Sequence, residues 1–252
     1  MDSGLLWGYH PVYEALRARR RTMVGLFVAQ GKPSPRQDEL IRFARRAGVA
    51  VEGRTPQQLT SMVGHRRHQG VCAKVSDYPL SSLESMLSDA GARQEKPFLL
   101  VLDQIVDPQN LGAMVRTAQC AGIHGVLVPK DRSAPPSPAA SKASAGALEH
   151  MRLAYVTNLV AALKQLKAAG IWIAGTDRQG RNSVYQTDLT GPLAVLVGGE
   201  EKGIRPLVKK HCDFMVSVPQ VGPIGSLNAS AAAAVVMYEA FRQRLAGAIR
   251  PE

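Results

Sequence analysis

The sequence predicts an α/β protein whose larger, C-terminal part holds a parallel sheet. Continuous apolar runs, such as residues 98–103 and 193–198, recur after residue 97, and helical patterns separate them. The 252 residues are enough for one large or two modest domains. Strands that are buried on both faces have this uninterrupted apolar pattern, so we expect a sheet that is covered by helices on both sides.

The first 75 residues are predicted to form a small α/β unit of their own. Helical patterns cover about residues 10–20, 35–47 and 57–63, and strand patterns cover 24–29, 49–52 and 70–75. Alternation of this kind favours a compact α/β fold. The polar, Ser-rich segment 76–96 follows, and we interpret it as a linker with one short helix near residues 83–90.

The remaining residues, 97–252, repeat a strand and helix order. Strand patterns lie at 98–103, 125–129, 153–156, 171–177, 193–199 and 214–219, and helical patterns lie at 111–121, 137–147, 159–169 and 228–245. In parallel α/β sheets, ligands bind beyond the carboxyl ends of the strands. This rule directs attention to the segments that follow Asp103, Thr176, Gly198 and Pro219.

Positive charge is concentrated in the first part of the chain. The net charge is +11, and residues 1–75 contribute 13 Lys/Arg against 5 Asp/Glu. Basic clusters lie at residues 17–21, 42–46 and 65–68. A single cluster of this kind is more often a solvated helix face, but three in one segment favour a polyanionic partner, most often nucleic acid.

Several classes of protein are disfavoured by the composition. No apolar run is long enough to span a bilayer, and the N-terminal charges follow the short apolar patch, the reverse of a secretory signal. Cys72, Cys120 and Cys212 lie far apart without a CxxC pair, which argues against disulfides and zinc. We therefore expect a cytoplasmic protein without a membrane or metal partner.

The first segment with possible chemistry is "DPQNLGAMVRTA", residues 107–118. Asn110 is a plausible helix N-cap, and helical periodicity places Arg116 on the outward side, close to Gly112. Arg116 could be an ordinary exposed arginine near a packing glycine. It could equally be a guanidinium that binds a phosphate or a carboxylate.

Two further segments end strands with glycine-rich loops. "LAVLVGGEEKGIRP" places Glu200 directly after the strand and two glycines, and it lacks the Gly-Lys-Ser/Thr of a phosphate-binding Walker loop. "FMVSVPQVGPIGSLNAS" runs from a strand through a Gly-Pro loop to a helix start with Ser226 and Asn228. Each pattern could be no more than a tight turn or a capped helix, or it could be one wall of a binding site.

In this order the three segments resemble the motifs of the trefoil-knotted SPOUT methyltransferases, in the branch that methylates ribose 2′-hydroxyls of tRNA and rRNA. "GYHPVYEAL", "HQGVCAKV", "SKASAGALE" and "VTNL" are similar to the same branch, in particular to the group that methylates guanosine in large-subunit rRNA. The resemblance implies S-adenosyl-L-methionine as cofactor and a homodimer with its sites near the subunit interface. It also implies an N-terminal RNA-binding domain similar to ribosomal-protein modules, here residues 1–75, and a catalytic domain over residues 97–252.

The resemblance also implies roles for individual residues. Arg116 matches the arginine that acts on the ribose hydroxyl. The other positions expected in catalysis are Asn110, Glu200, Ser226 and Asn228. The positions expected around the cofactor are Thr176, Gly198, Gly199, Val218, Pro219 and Leu227. The chain departs from the common pattern at Gln104, Gln109, Glu201 and Gln220, which leaves the cofactor contacts open.

Two alternatives remain at this point. The substrate could be tRNA, or the chain could be a non-catalytic RNA-binding factor of ribosome assembly on a methyltransferase scaffold. A dinucleotide-dependent oxidoreductase is disfavoured, because no GxGxxG follows an early strand.

Overall fold

The computed structural model describes residues 4–180, 182–221 and 225–248. Its chain forms two compact units. The first comprises residues 1–79 together with 135–150, and the second comprises residues 80–134 and 151–252.

The first unit is built on a four-stranded mixed sheet with the order β1-β4-β2-β3. β2 pairs in parallel with β3, while β4 pairs antiparallel with β1 and β2. Its elements are β1 (Gly4–Trp7), α1 (Tyr9–Ala18), β2 (Met23–Ala29), α2 (Pro35–Arg46), β3 (Val51–Arg54), α3 (Pro56–Val63) and β4 (Val71–Val75). The predicted alternation of helices and strands is confirmed, and β1 is an additional strand that the sequence pattern did not indicate.

Two helices of this unit begin with the same local signal. Ser34 and Thr55 cap α2 and α3, each accepting a hydrogen bond from the main-chain N–H of the Gln three residues later. The glutamine side chain bonds back to the cap residue, and a proline occupies the first turn. These reciprocal bonds satisfy main-chain donors that a helix start otherwise leaves without partners.

Residues 135–150 belong to the first unit although they lie within the predicted catalytic region. They contain α6 (Pro138–Ala143) and a short 3-10 turn at Ala147–Glu149. The buried carboxylate of Glu149 accepts a hydrogen bond from Ser141 at 2.8 Å and pairs with Arg21 at 3.5 Å. A buried charge needs such partners, and this cluster therefore fastens the segment to residues far away in the sequence.

The second unit contains a seven-stranded sheet in which every pair is parallel, so the predicted parallel sheet is confirmed. The strand order is β7-β6-β5-β10-β8-β11-β9. Its strands are β5 (Phe98–Asp103), β6 (Gly125–Pro129), β7 (Leu153–Val156), β8 (Trp172–Thr176), β9 (Asn182–Ser183), β10 (Leu193–Gly198) and β11 (Phe214–Ser217). Its helices are α4 (Leu83–Ala92), α5 (Pro108–Cys120), α7 (Leu159–Ala168), α8 (Pro206–Lys209) and α9 (Ala229–Ala248).

The hydrophobic core of this unit is built around the parallel sheet, as the apolar runs in the sequence predicted. All residues of β5 and β10 are buried, and leucines of α7 pack against the strands. The short helix in the Ser-rich segment is confirmed as α4. β9 was not predicted, because two residues are too few to show a period.

Candidate functional site

Four strand ends meet at one edge of the parallel sheet. Gly198 at the end of β10 lies opposite Asp103 at the end of β5, and Thr176 at the end of β8 lies opposite Val216 of β11. The loops that leave these strands are those that the sequence singled out. Parallel pairing therefore collects segments from distant parts of the chain at one place.

Three side chains from these segments form a hydrogen-bonded cluster, which we call the amide–carboxylate cluster. The Asn110 amide donates to Glu200 Oε1 at 3.1 Å, and the Asn228 amide donates to Asn110 Oδ1 at 3.1 Å and also to Glu200 Oε1. Glu200 and Asn228 are exposed, and Asn110 is half-buried. The cluster joins α5, the loop after β10 and the start of α9. Along the chain, Glu200 lies 90 residues after Asn110, and Asn228 lies 118 residues after it.

The side-chain oxygen of Asn228 caps α9. Asn228 Oδ1 accepts hydrogen bonds from the main-chain N–H groups of Ser230 at 2.9 Å and Ala231 at 3.3 Å. The helix cap and the amide–carboxylate cluster thus share one side chain. The two interpretations of this segment in the sequence are compatible, because the amide presents its oxygen to the helix and its nitrogen to Glu200.

Asn110 is not an N-cap, which corrects the sequence prediction. α5 begins at Pro108, and Asp107 is the cap, accepting from the Gln109 N–H at 3.0 Å. Proline is favoured at the first position of a helix because its missing N–H has no partner to lose there. The helix therefore starts earlier, and the Asn110 side chain is available to Glu200.

A cavity of about 480 Å³, the first cavity, opens beside the cluster. Its apolar walls include Val197, Ile204, Val216, Val218, Leu227 and Val236. Six of the residues expected at the cofactor or in catalysis line it together with Glu200: Thr176, Gly198, Gly199, Val218, Ser226 and Leu227. The structure thus brings most of the predicted cofactor positions around one space.

Charges of both signs line the first cavity. Lys209 bonds to the Asp177 carboxylate, and this hydrogen bond holds the pKa of Asp177 below its usual value. Arg178 donates to the Gly225 carbonyl at 2.8 Å, which ties the loop after β8 to the segment before α9. Glu201 and Gln220, two departures from the family pattern, also line this cavity.

The last residue of β10, Gly198, and the residue after it, Gly199, are required to be glycines by the packing of their own loop. A Cβ on Gly198 would lie 2.1 Å from the Gly203 carbonyl carbon, and one on Gly199 would lie 2.8 Å from the Gln104 oxygen. The turn is closed by a hydrogen bond from the Gly203 N–H to the Gly199 oxygen at 2.9 Å. Close approach of main chain to main chain therefore explains both residues before any ligand is considered.

A partly buried ion pair that the sequence did not reveal fixes the same loop. Asp103 is fully buried at the end of β5. Its carboxylate accepts from the Arg205 N–H at 2.9 Å and from the Arg205 guanidinium at 2.8 Å. A charged residue that ends an otherwise apolar strand was the available signal, but its partner lies 102 residues away.

A second cavity, of about 430 Å³, adjoins the first at Glu200. Its lining includes Val106, Asn110 and Arg132, and it shares residues 199–202 with the first cavity. Gln104 also lines it and has a φ of 61°, the left-handed region that favours glycine. Glu200 therefore faces two adjoining spaces.

Three predicted residues do not line these spaces. In the part of the chain that the structure describes, Arg116, Pro219 and Asn228 line neither cavity, although Asn228 belongs to the amide–carboxylate cluster. Arg116 lies on the exposed side of α5, six residues beyond Asn110, which corresponds to about 120° around the helix axis. Gly112 is buried, which agrees with its interpretation as a packing glycine.

The residues that the structure describes form neither a metal site nor a membrane-spanning helix. Across residues 4–180, 182–221 and 225–248, no three His, Cys, Asp or Glu side chains are grouped so that they could bind a metal ion. None of the helices in those ranges combines the length and the apolar character that crossing a membrane requires.

Comparison with known proteins places this arrangement among RNA-modifying enzymes. Residues 97–238 match the SpoU rRNA methylase family, and residues 5–81 match the substrate-binding domain of RNA 2′-O ribose methyltransferases. The 23S rRNA (guanosine-2′-O-)-methyltransferase RlmB of Photorhabdus laumondii is 39% identical over 242 residues, 96% of this chain and 99% of its own. YacO of Bacillus subtilis, named for the TrmH family of tRNA/rRNA methyltransferases, is 38% identical over 94% of each chain.

A solved structure shows the same fold. The SpoU methyltransferase AviRb from Streptomyces viridochromogenes, in complex with AdoMet, has a TM-score of 0.80 at 27% identity and covers 97% of this chain and 92% of its own. The sequence match spans both segments of the chain, and the fold match spans nearly all of it. The chain therefore belongs to the SpoU rRNA methylase family.

Proposed function

We propose that this protein transfers a methyl group from S-adenosyl-L-methionine to the 2′-hydroxyl of a guanosine in large-subunit (23S) rRNA. The observation that carries the proposal is the amide–carboxylate cluster, whose Glu200 faces both the first and the second cavity. Methyl transfer needs a donor site and an acceptor site that adjoin. The reaction named for the Photorhabdus relative supports the choice of substrate.

The first cavity fits the cofactor in size and chemistry. Its volume of about 480 Å³ lies within the range of small-molecule sites. Val197, Val218 and Leu227 provide apolar walls for a flat adenine, and Thr176 and Ser226 provide hydroxyls for a ribose. Charges of both signs suit the amino-acid end. When bound, the cofactor supplies a methyl group that is activated by a positively charged sulfur.

The second cavity is the acceptor site in this proposal. Two amides donate to Glu200 Oε1, so the carboxylate is held in one orientation and its other oxygen can accept a hydrogen bond from a ribose hydroxyl. Asn110, Glu200 and Asn228 would position the ribose against the first cavity. Ser226 lines the donor side.

Arg116 has an electrostatic role in the proposal. A guanidinium stays protonated and is a poor base, but it binds phosphate strongly. Arg116 would bind the phosphate next to the target ribose and favour the loss of the hydroxyl proton. Because it lines neither cavity of its own chain, we place it in the site of a second copy, within a homodimer.

The remaining assignments follow the family resemblance. Residues 1–75 would bind the RNA, residues 76–96 would link the two domains, and residues 97–252 would form the methyltransferase domain. In that domain, the chain after β10 and β11 would form a trefoil knot. The net positive charge of the first segment and its match to a substrate-binding domain support the first assignment. A protein that acts on ribosomal RNA would work in the cytoplasm.

The direct test is methyl transfer with separated RNAs. The protein is incubated with methyl-labelled S-adenosyl-L-methionine and either 23S rRNA or tRNA, and the labelled nucleotide is mapped. We expect label on a guanosine ribose of 23S rRNA. Label in tRNA alone would contradict the substrate assignment. An absence of cofactor binding by calorimetry, with RNA binding intact, would instead favour a non-catalytic assembly factor.

Arg116→Lys tests the role of the guanidinium. The variant keeps the charge and loses the bidentate contact with phosphate, so we expect kcat/KM to fall about tenfold or more. Lys164→Arg, an exposed exchange of the same kind on α7, is the matched control and should leave kcat/KM unchanged. Full turnover by Arg116→Lys would overturn the proposed role.

A further inference from the structure

A third cavity lies at the same edge of the sheet, at the ends of β6 and β7. Its volume is about 540 Å³. Pro129, Leu159, Val160, Leu207 and Val208 form apolar walls, while Asp131, Arg132, Thr157, Asn158 and Arg205 contribute polar groups. The lining includes part of the segment "VTNL", but the proposed reaction assigns no role to a space of this size at this place.

The loop between β6 and α6 connects this cavity to the acceptor site. Arg132 lines both the second and the third cavity. The loop is anchored on both sides, by hydrogen bonds from the Lys130 N–H to the Val156 oxygen at 2.9 Å and from the Ala134 N–H to the Ile105 oxygen at 2.7 Å. Arg132 has a φ of 56°, an unusual conformation for a residue with a side chain. The two spaces therefore adjoin at Arg132, in a loop whose main chain is held on both sides.

Exposed apolar side chains in the second and third cavities could contact a flat ring. Leu207 in the third cavity is 64% exposed, and Val106 in the second is 65% exposed. Asp131 and Arg132 have no side-chain partner within the ranges that the structure describes. Bases of single-stranded RNA are recognised by apolar contact with the ring and by hydrogen bonds to its edge.

A carboxylate such as that of Asp131 in the third cavity can distinguish between the four bases. An ionised carboxylate only accepts hydrogen bonds, and it can accept two parallel ones. Guanine offers two adjacent donors, N1–H and the N2 amino group, on its Watson–Crick edge. Adenine and cytosine place a ring acceptor beside their amino group, and uracil offers a single donor between two carbonyls. A carboxylate in the lining of a partly apolar cavity therefore favours guanine.

We propose that the third cavity holds the guanine base of the nucleotide to be methylated, with Asp131 as its specificity-determining residue and Arg132 at the ribose–phosphate junction. The inference rests on the proposed function, since it assigns the base of the same substrate. The ribose lies in the second cavity, beside Asn110 and Glu200, and the base extends past Arg132 into the third.

The test compares guanosine with inosine at the mapped target position of an RNA fragment. Inosine lacks only the N2 amino group, so it removes one donor and keeps N1–H. With the wild-type protein we expect kcat/KM to be about tenfold or more higher for guanosine, because one hydrogen bond to a charged acceptor is lost. With Asp131→Ala the ratio should fall close to one. Glu84→Ala, an exposed carboxylate on α4 away from the cavities, should keep the wild-type ratio.

Arg132→Ala separates the two roles. It should lower kcat/KM for guanosine and inosine alike and leave their ratio unchanged, because its contact is with the junction and not with the base edge. Unchanged cofactor affinity by calorimetry in Asp131→Ala and Arg132→Ala would show that the first cavity remains folded.

Several results would overturn the inference. Equal rates on guanosine and inosine with the wild-type protein, or a preference that persists in Asp131→Ala, would exclude Asp131 as the reader of the base while leaving methylation itself established. A mapped target other than guanosine would have the same effect. Absence of methyl transfer to any RNA by the wild-type protein would remove the proposed function, and the inference with it.

Discussion

Asn228 shows how one side chain can serve both the fold and the site. Its oxygen caps α9, and its nitrogen bonds to Asn110 and Glu200. Serine is also a good N-cap but has no amide nitrogen. We therefore expect Asn228→Ser to keep the melting temperature close to wild type and to lower kcat/KM roughly tenfold to a hundredfold, the effect of one lost hydrogen bond to a charged group.

Asn228→Ala is the matched comparison, because it removes both functions. It should lose about as much activity as Asn228→Ser and in addition about 1 kcal/mol of stability through the missing cap. Thermal unfolding and initial rates, measured on both variants, check this. If Asn228→Ser kept full activity, the amide nitrogen would have no part in the reaction.

At the scale of a single element, the turn after β10 depends on its glycines. A Cβ on Gly198 would meet the main chain of Gly203 and Ile204 at 2.1 and 2.2 Å, and main chain cannot yield as a flexible side chain can. We expect Gly198→Ala to destabilise the second unit by about 1–3 kcal/mol, as overpacking does. Gly191→Ala, whose added Cβ would meet nothing within 4 Å, should change stability by less than about 0.5 kcal/mol.

The two tryptophans allow this measurement to be made on the second unit. Trp7 lies in the first unit and Trp172 in the second. Urea unfolding in a Trp7→Phe background, monitored by Trp172 fluorescence, follows the unit that holds the turn. Equal midpoints for Gly198→Ala and Gly191→Ala would contradict the packing argument.

The elements differ in how well the sequence predicted them. Apolar strands and long helices were found because their period is local, and parallel pairing then brought Thr176, Gly198 and the segment before α9 to one edge. The start of α5 was misplaced because Asp107 and Asn110 are both good caps, and only the structure shows which one is used. The Asp103–Arg205 pair and the third cavity depend on contacts between distant segments, which a local pattern does not contain.

At the scale of the whole molecule, the position of Arg116 bears on how many chains make one site. The residues of the amide–carboxylate cluster come together within one chain, whereas Arg116 lies on a different side of α5 and lines neither cavity there. If Arg116 acts in catalysis, a closed dimer with twofold symmetry can deliver it reciprocally, one copy to each site. Dimers of two different variant chains therefore distinguish a site shared by two chains from a site within one chain.

Heterodimers purified through two different affinity tags separate the two cases. A dimer of one Arg116→Ala chain and one Asn110→Ala chain has one complete site if Arg116 acts across the interface, so we expect about half of the wild-type methyl transfer per dimer. A dimer of one wild-type chain and one chain with both substitutions should then be inactive, because each site lacks one residue. If Arg116 acts within its own chain, the dimer of the two single variants should instead be inactive. The dimer with one wild-type chain should then keep about half of the methyl transfer, because its wild-type chain has a complete site. Both homodimers of the single variants serve as controls and should be inactive in either case.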